Sequence, residues 1–228
     1  MTITANKLTR TAGLCAIAAG VLYVLVQYLH PHETLSNVTT TTWKVTHLLT
    51  VTMAVLALAG ITGMYARQVR QTGLLGLIGY VLYGGCFLAI LAFSFVEALV
   101  LPAIAGQAPH FVSNVLALST GGVRSSSVGG LDVVFQVGGA LYLLGGFVFG
   151  IALFRAGVLA QWSAMLLSGG ALITLTVPLM PHAQARLLAL PVGLALAGLG
   201  SSLWRTSVVH ASAVPVATDR RPATVGAA

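Results

Sequence analysis

Six apolar runs, each long enough to cross a lipid bilayer, take up most of the chain and leave little else to fold. They lie at about residues 12–29, 45–66, 73–101, 133–154, 159–180 and 187–203. About 20 consecutive apolar residues span the ~30 Å hydrocarbon core as a helix, and a helix satisfies its own backbone polar groups where no water can. The pattern predicts an all-α polytopic membrane protein, a bundle of six transmembrane helices. Charged residues make up only 7% of the chain, against about 25% in a soluble domain, so no separate soluble domain fits in the remainder. The 26 glycines agree, because small residues let helices approach closely in lipid. Gly146 with Gly150, Gly193 with Ala197, and Gly76 with Gly79 are read as helix contacts within one chain.

The short connections give the orientation. With both termini in the cytoplasm, the inner side carries Lys7, Arg10, Arg67, Arg70, Arg155, Arg205, Arg220 and Arg221, and the outer side only Lys44, Arg124 and Arg186. Basic residues concentrate on the cytoplasmic side of membrane proteins, so the expectation is a bacterial inner-membrane protein with cytoplasmic N and C termini. The first run is followed by His30-Pro31-His32 where a signal peptide would need a small-residue cleavage site, and it reads as an uncleaved helix. The net charge of +7 is scattered over loops. Nucleic-acid binders gather basic residues on one face, so the expected partner is the lipid bilayer, with a lipid-like small molecule or another membrane protein as further possibilities.

Between the runs, the threonine-rich residues 34–42 read as a polar loop, and Pro102 is expected to end the third run. After Pro109, the spacing of Phe111, Val112, Val115 and Leu116 predicts an interfacial helix over 110–118. The Ser- and Gly-rich residues that follow read as flexible linker. Residues 206–228 read as a disordered cytoplasmic tail. Cys15 and Cys86 sit inside apolar runs and read as small core residues.

On this topology His30, His32, Glu33, His47, Glu97, Asp132 and His182 all fall at or near the outer face. Ionisable groups within spans usually face the bundle interior and mark a site; near a span end they can instead snorkel to the interface. Glu97 lies about 36 Å along the helix from Gly73, hence near the outer interface. Close to the end of its run, where the helix dipole disfavours negative charge, it is the first candidate for a general acid or base. Asp132 and His47 are its candidate partners. Gln136 lies one turn from Asp132, although Asp132 also suits a helix start. Arg186 could hold an anionic headgroup or diphosphate. The candidate ligand-binding set is therefore Glu97, His47, Asp132, Gln136, His182 and Arg186. His30, His32 and Glu33 form a candidate metal set: Pro31 restricts its own backbone and that of His30, and imidazole and carboxylate ligands suit zinc or another transition metal. No HExxH or paired CxxC accompanies them.

Three stretches carry a family likeness: Ala12-Gly13-Leu14 through His30-Pro31, Phe95-Val96-Glu97-Ala98 with Pro102, and Phe149-Gly150-Ile151-Ala152-Leu153-Phe154-Arg155-Ala156-Gly157-Val158-Leu159. Over most of residues 10–205 the chain resembles small six-span integral membrane proteins of high-GC Gram-positive bacteria. The resemblance implies fold and location and transfers no activity. The function expected first is binding of a small ligand, ion or lipid at the His- and carboxylate-rich outer face, without catalysis. The alternative is an integral membrane enzyme acting on a lipid or isoprenoid through acid–base or metal-assisted chemistry. A transporter or transporter subunit comes third.

Overall fold

The computed structural model describes residues 4–179 and 186–212, and among these every regular element is helical. Helix α1 (Ala5–Leu29) is followed by a short α2 (Leu35–Val38), α3 (Thr41–Arg67) and α4 (Val69–Phe95). A π-helical turn (Val96–Val100) carries α4 directly into α5 (Leu101–Ile104). Then come α6 (Pro109–Thr120), α7 (Gly130–Ala156) and α8 (Gln161–Ile173), which continues as a 3-10 segment (Thr174–Leu179). A second 3-10 segment (Arg186–Ala189) leads into α9 (Leu190–Ser212). Residues 206–212, expected in the tail, thus belong to α9; the rest of that tail, and His182, lie outside the described residues.

Five stretches are long and apolar enough to cross a membrane: Ala5–Leu29, Thr41–Arg67, Val69–Ile104, Gly130–Ala156 and Arg186–Thr206. The run expected as the fifth span, 159–180, differs. Its α-helix covers only the 13 residues Gln161–Ile173 before tightening to 3-10 geometry. The sequence explains why. Thr174 and Thr176 turn their hydroxyls back onto the carbonyls of Ala171 (2.6 Å) and Ile173 (2.7 Å), an alternative partner that competes with the α-helical ladder. Pro178 then removes a backbone donor. The threonine-rich stretch 34–42 is likewise more ordered than a loop: it holds α2, and Thr40 caps α3 by accepting from the Trp43 amide (3.2 Å).

The long helices alternate in direction and close into a ring. Helix α1 packs between α9 and α3, α4 between α3 and α7, and α8 between α7 and α9. Met53, Ile61, Tyr83, Phe87, Phe149 and Leu196 fill the centre. The ring closes through glycines spaced seven apart on α1 and α9. A Cβ on Gly13 would lie 2.9 Å from the Gly200 carbonyl, and one on Gly20 would lie 2.7 Å from the Ala197 amide. In lipid such close backbone approach supplies the dispersion contact that holds helices together. Gly146 and Gly150 similarly meet Ala171 and Ser168 of α8.

Charge separates along the bundle. The end where α1 begins carries Lys7, Arg10, Arg67, Arg70, Arg155 and Arg205. The other end carries Glu33, Glu97 and Asp132, which are all the carboxylates among the described residues. We call these the basic and the acidic end. Gly20→Val should lower thermal stability in detergent by about 1–3 kcal/mol, because an overpacked backbone contact must open. Gly139→Ala, where an added Cβ meets nothing within 4 Å, should leave stability unchanged or raise it.

Candidate functional site at the acidic end

The site begins with a proline that does not stop its helix. Pro102 has no N–H to donate, and its ring crowds the preceding turn. The chain accommodates it by widening to a π turn just before it, in which the Leu101 N–H donates to the Val96 carbonyl. The next bond in that i→i−5 series would run from residue 102 to the Glu97 carbonyl, and proline cannot make it. The indole Nε1–H of Trp43, on α3, donates to that carbonyl at 2.8 Å. Trp43 is fully buried, so the bond satisfies two groups that would otherwise be costly. The expectation that Pro102 ends the run is corrected: the helix continues to Ile104. Glu97 therefore does not sit at a helix terminus but in a π turn, a local geometry frequent at functional sites.

The same tryptophan places His47, one turn further along α3. The rings of Trp43 and His47 lie 4.2 Å apart, and His47 Nδ1 sits 2.8 Å from the Trp43 carbonyl. A carbonyl only accepts, so Nδ1 carries the hydrogen. That leaves Nε2 as the variable atom, and it comes within 3.3 Å of Glu97 Oε2. The approach is close enough for an ion pair yet lacks hydrogen-bond alignment, so Nε2 is buried without a hydrogen-bond partner. Both side chains are shielded, with His47 1% and Glu97 8% exposed. Glu97 turns inward onto a partner and does not snorkel.

Three more side chains surround the pair. Pro31 ends α1 by holding His30 extended, at φ −67° and ψ 118°. Three carbonyls at that end find side-chain donors: Leu29 from Thr46 Oγ1 (3.4 Å), His30 from Arg186 Nη1 (3.0 Å), and Pro31 from His30 Nδ1 (2.8 Å). Arg186 also donates to Glu33 Oε1, which brings the entry to α9 against the exit of α1. The His30 ring then lies 4.9 Å from His47 and 6.0 Å from Trp43. His30 and Arg186 each keep 19% of the side chain exposed, so solvent approaches the buried pair past them.

A second small core covers Trp43. Val112, Val115 and Leu116 of α6 pack with Val38, Leu101 and Val128 around the indole. Helix α6 lies where an interfacial helix was expected, but its apolar face turns onto protein. The Ser- and Gly-rich segment after it is pinned as well. Buried Asn114 donates to Ser126 Oγ (2.6 Å) and accepts from the Ser125 amide (3.1 Å).

Of the candidates from sequence, the structure therefore gathers His30, Glu33, His47, Glu97 and Arg186. Asp132 pairs instead with Arg124 Nη1 (3.0 Å) and Gln136 Nε2 (2.9 Å). It stabilises the first turn of α7 and the loop before it, so the expected Glu97–Asp132 pair is not formed. His32 is exposed, and its carbonyl caps Asn37 Nδ2 and the Thr34 amide. With His30 Nδ1 bonded to Pro31 O and Glu33 bonded to Arg186, the expected His30–His32–Glu33 metal set does not converge. Among the described residues no group of three or more His, Cys, Asp or Glu is arranged to hold a metal ion. Trp43, absent from the sequence candidates, is the residue that orients the site. Its signals were the spacing of four to His47 and the proline five residues after Glu97.

No protein-family model, curated protein or solved structure matches the chain.

Trp43→Phe should destabilise the protein by about 1–3 kcal/mol, the cost of a buried carbonyl left unpaired. Pro102→Ala supplies a backbone N–H for the turn. The double variant Trp43→Phe/Pro102→Ala should therefore lose less than the two single effects added together, a coupling that thermal or denaturant unfolding of all four proteins measures.

Proposed function

We propose that the protein is a six-crossing membrane protein of the bacterial inner membrane, with cytoplasmic termini, that binds a small ligand or ion at its extracytoplasmic face through His47 and Glu97. Helix α8 with its 3-10 continuation forms the sixth crossing, since together they extend roughly 30 Å, about the thickness of the hydrocarbon core. The basic end then faces the cytoplasm in keeping with the positive-inside rule.

One observation carries the binding proposal. The His47 ring is fixed through Nδ1, and its buried, unbonded Nε2 faces the buried Glu97 carboxylate at 3.3 Å. An imidazole lone pair and a carboxylate repel at that distance, so the pair is satisfied only by something positive between them. The smallest such ligand is one proton, held either as imidazolium with carboxylate or as imidazole with carboxylic acid. A small cation can take its place. Other charged groups acting on the pair are His30, Glu33 and Arg186, and the last two already neutralise each other.

Infrared difference spectroscopy on protein in bilayers, as pH is stepped, tests this reading. A carboxyl C=O band should change with pH, disappear in Glu97→Gln and shift in His47→Asn. It should persist in Asp132→Asn, where the carboxylate belongs to the separate Arg124 pair. Survival of that same band in Glu97→Gln would refute the assignment.

A second reading, acid–base catalysis on a lipid-borne substrate, draws on one further feature. A cavity of about 240 Å³ between α4 and α7 reaches Ser94, one turn from Glu97. It requires turnover: membranes containing the wild-type protein would alter a lipid or isoprenoid that membranes containing Glu97→Gln leave intact.

A further inference from the structure

The basic end carries a feature that the His47–Glu97 pair does not explain. At the cytoplasmic mouth of the α8–α9 contact lies a cavity of about 610 Å³, lined by Arg205, Ser201, Ser202 and Thr206 together with Trp162 and Leu166. Trp162 and Leu166 also line a second cavity, of about 590 Å³, that continues along the same two helices past Met165 and Gly169 to Ile173 and Pro191. The two form one groove, polar at the end of the bundle and apolar along its length. From Trp162 to Ile173 it follows α8 for about 16 Å, a length suited to a single extended hydrocarbon chain.

The polar end is built to receive an anion. Arg205 is exposed, and every carboxylate among the described residues lies at the opposite end of the bundle, so its counter-ion comes from outside that set. Ser202 Oγ accepts from the Ala160 amide at 3.0 Å, which leaves its O–H to donate. The groove stays open because its walls are small. Trp162 lies against Gly198, where an added Cβ would come within 2.8 Å of the indole, and nothing stands within 4 Å of the Cβ position at Gly169. A free phosphate would use only the mouth and a neutral lipid only the length.

We propose that the α8–α9 groove is a binding site for one anionic phospholipid of the cytoplasmic leaflet, its phosphate at Arg205 and Ser202 and one acyl chain against Trp162, Leu166 and Gly169. The site rests on the orientation proposed above for its leaflet and is independent of the His47–Glu97 pair. A basic side chain near an anionic headgroup contributes about 1 kcal/mol, or roughly fivefold in affinity.

The test titrates phosphatidylglycerol or phosphatidylcholine, each with brominated acyl chains, into detergent-solubilised protein and follows tryptophan quenching. The Trp162 contribution is the difference between wild type and Trp162→Phe. Quenching by phosphatidylglycerol should saturate at roughly fivefold lower concentration than by phosphatidylcholine. Arg205→Gln should abolish the difference between the two lipids, and Gly169→Leu should weaken both. Equal quenching by the two lipids in wild type would overturn the proposal, as would a preference that survives Arg205→Gln. So would full competition by glycerol 3-phosphate without any effect of Gly169→Leu, which would mark a site for a free phosphate. Intact infrared behaviour of Glu97 in Arg205→Gln separates failure of this site from failure of the acidic one.

Discussion

A single hydrogen bond, from the Trp43 indole to the Glu97 carbonyl, underlies the geometry of the acidic end. It exists because a proline five residues downstream cannot supply the backbone donor that the π turn calls for. The bond ties α3 to the π turn that follows α4, and it fixes the indole as a platform. His47 lies tilted against that platform and is bonded to the carbonyl of the same tryptophan, so one residue sets both the ring's position and its tautomer. Glu97 is in turn aimed by the turn whose carbonyl the indole caps. Its backbone carbonyl accepts the Trp43 hydrogen bond, and its carboxylate approaches His47 Nε2 at 3.3 Å without one, so separate atoms of Glu97 meet two residues of α3.

The surroundings reinforce this division. Helix α6 and Val128 seal Trp43 on one flank with an apolar cap, which keeps competing water from the indole. On the other flank, Arg186 gathers the carbonyl of His30 and the carboxylate of Glu33, leaving Glu97 as the buried acid whose partner is a titratable ring. The bundle beneath is held by a different force. Backbone-to-backbone contact between glycines of α1 and α9 closes the ring, while the basic end holds no carboxylate among its described residues. At the acidic end the carboxylates are neutralised internally, Glu33 by Arg186 and Asp132 by Arg124.

Much of the fold could be read from hydropathy. The apolar runs and the glycine pairs follow from the lipid environment, which acts on every residue of a helix and so leaves a repeating signal. The exceptions are local. Thr174, Thr176 and Pro178 shorten α8 through side-chain and backbone hydrogen-bond chemistry that a hydropathy average does not register. The site was legible only as a list of residues near one surface. Glu97, His47, His30, Glu33 and Arg186 were visible as polar groups out of place, and Asp132 looked equally eligible. Asp132 separates from Glu97 because Arg124, in a loop that reads as featureless, is held close enough to pair with it. Trp43 did not stand out among the polar residues, since its role depends on a contact 54 residues away in sequence. The metal reading of His30-Pro31-His32-Glu33 rested on chain proximity. It gave way because His30 and Glu33 bond to Pro31 and Arg186, while His32 is exposed.

The most direct test of this construction is the protonation pattern of the His47 ring. Nitrogen-15 NMR of histidine-labelled protein in bilayers, with His47 assigned by its loss in His47→Asn, reports the two nitrogens separately. The arrangement predicts a hydrogen on Nδ1 at every pH at which the fold persists, with Nε2 alone changing, and a displaced Nε2 signal in Glu97→Gln. A neutral ring carrying its hydrogen on Nε2, with Nδ1 bare, would contradict it, because His47 could then not donate to the Trp43 carbonyl that fixes the ring in this geometry.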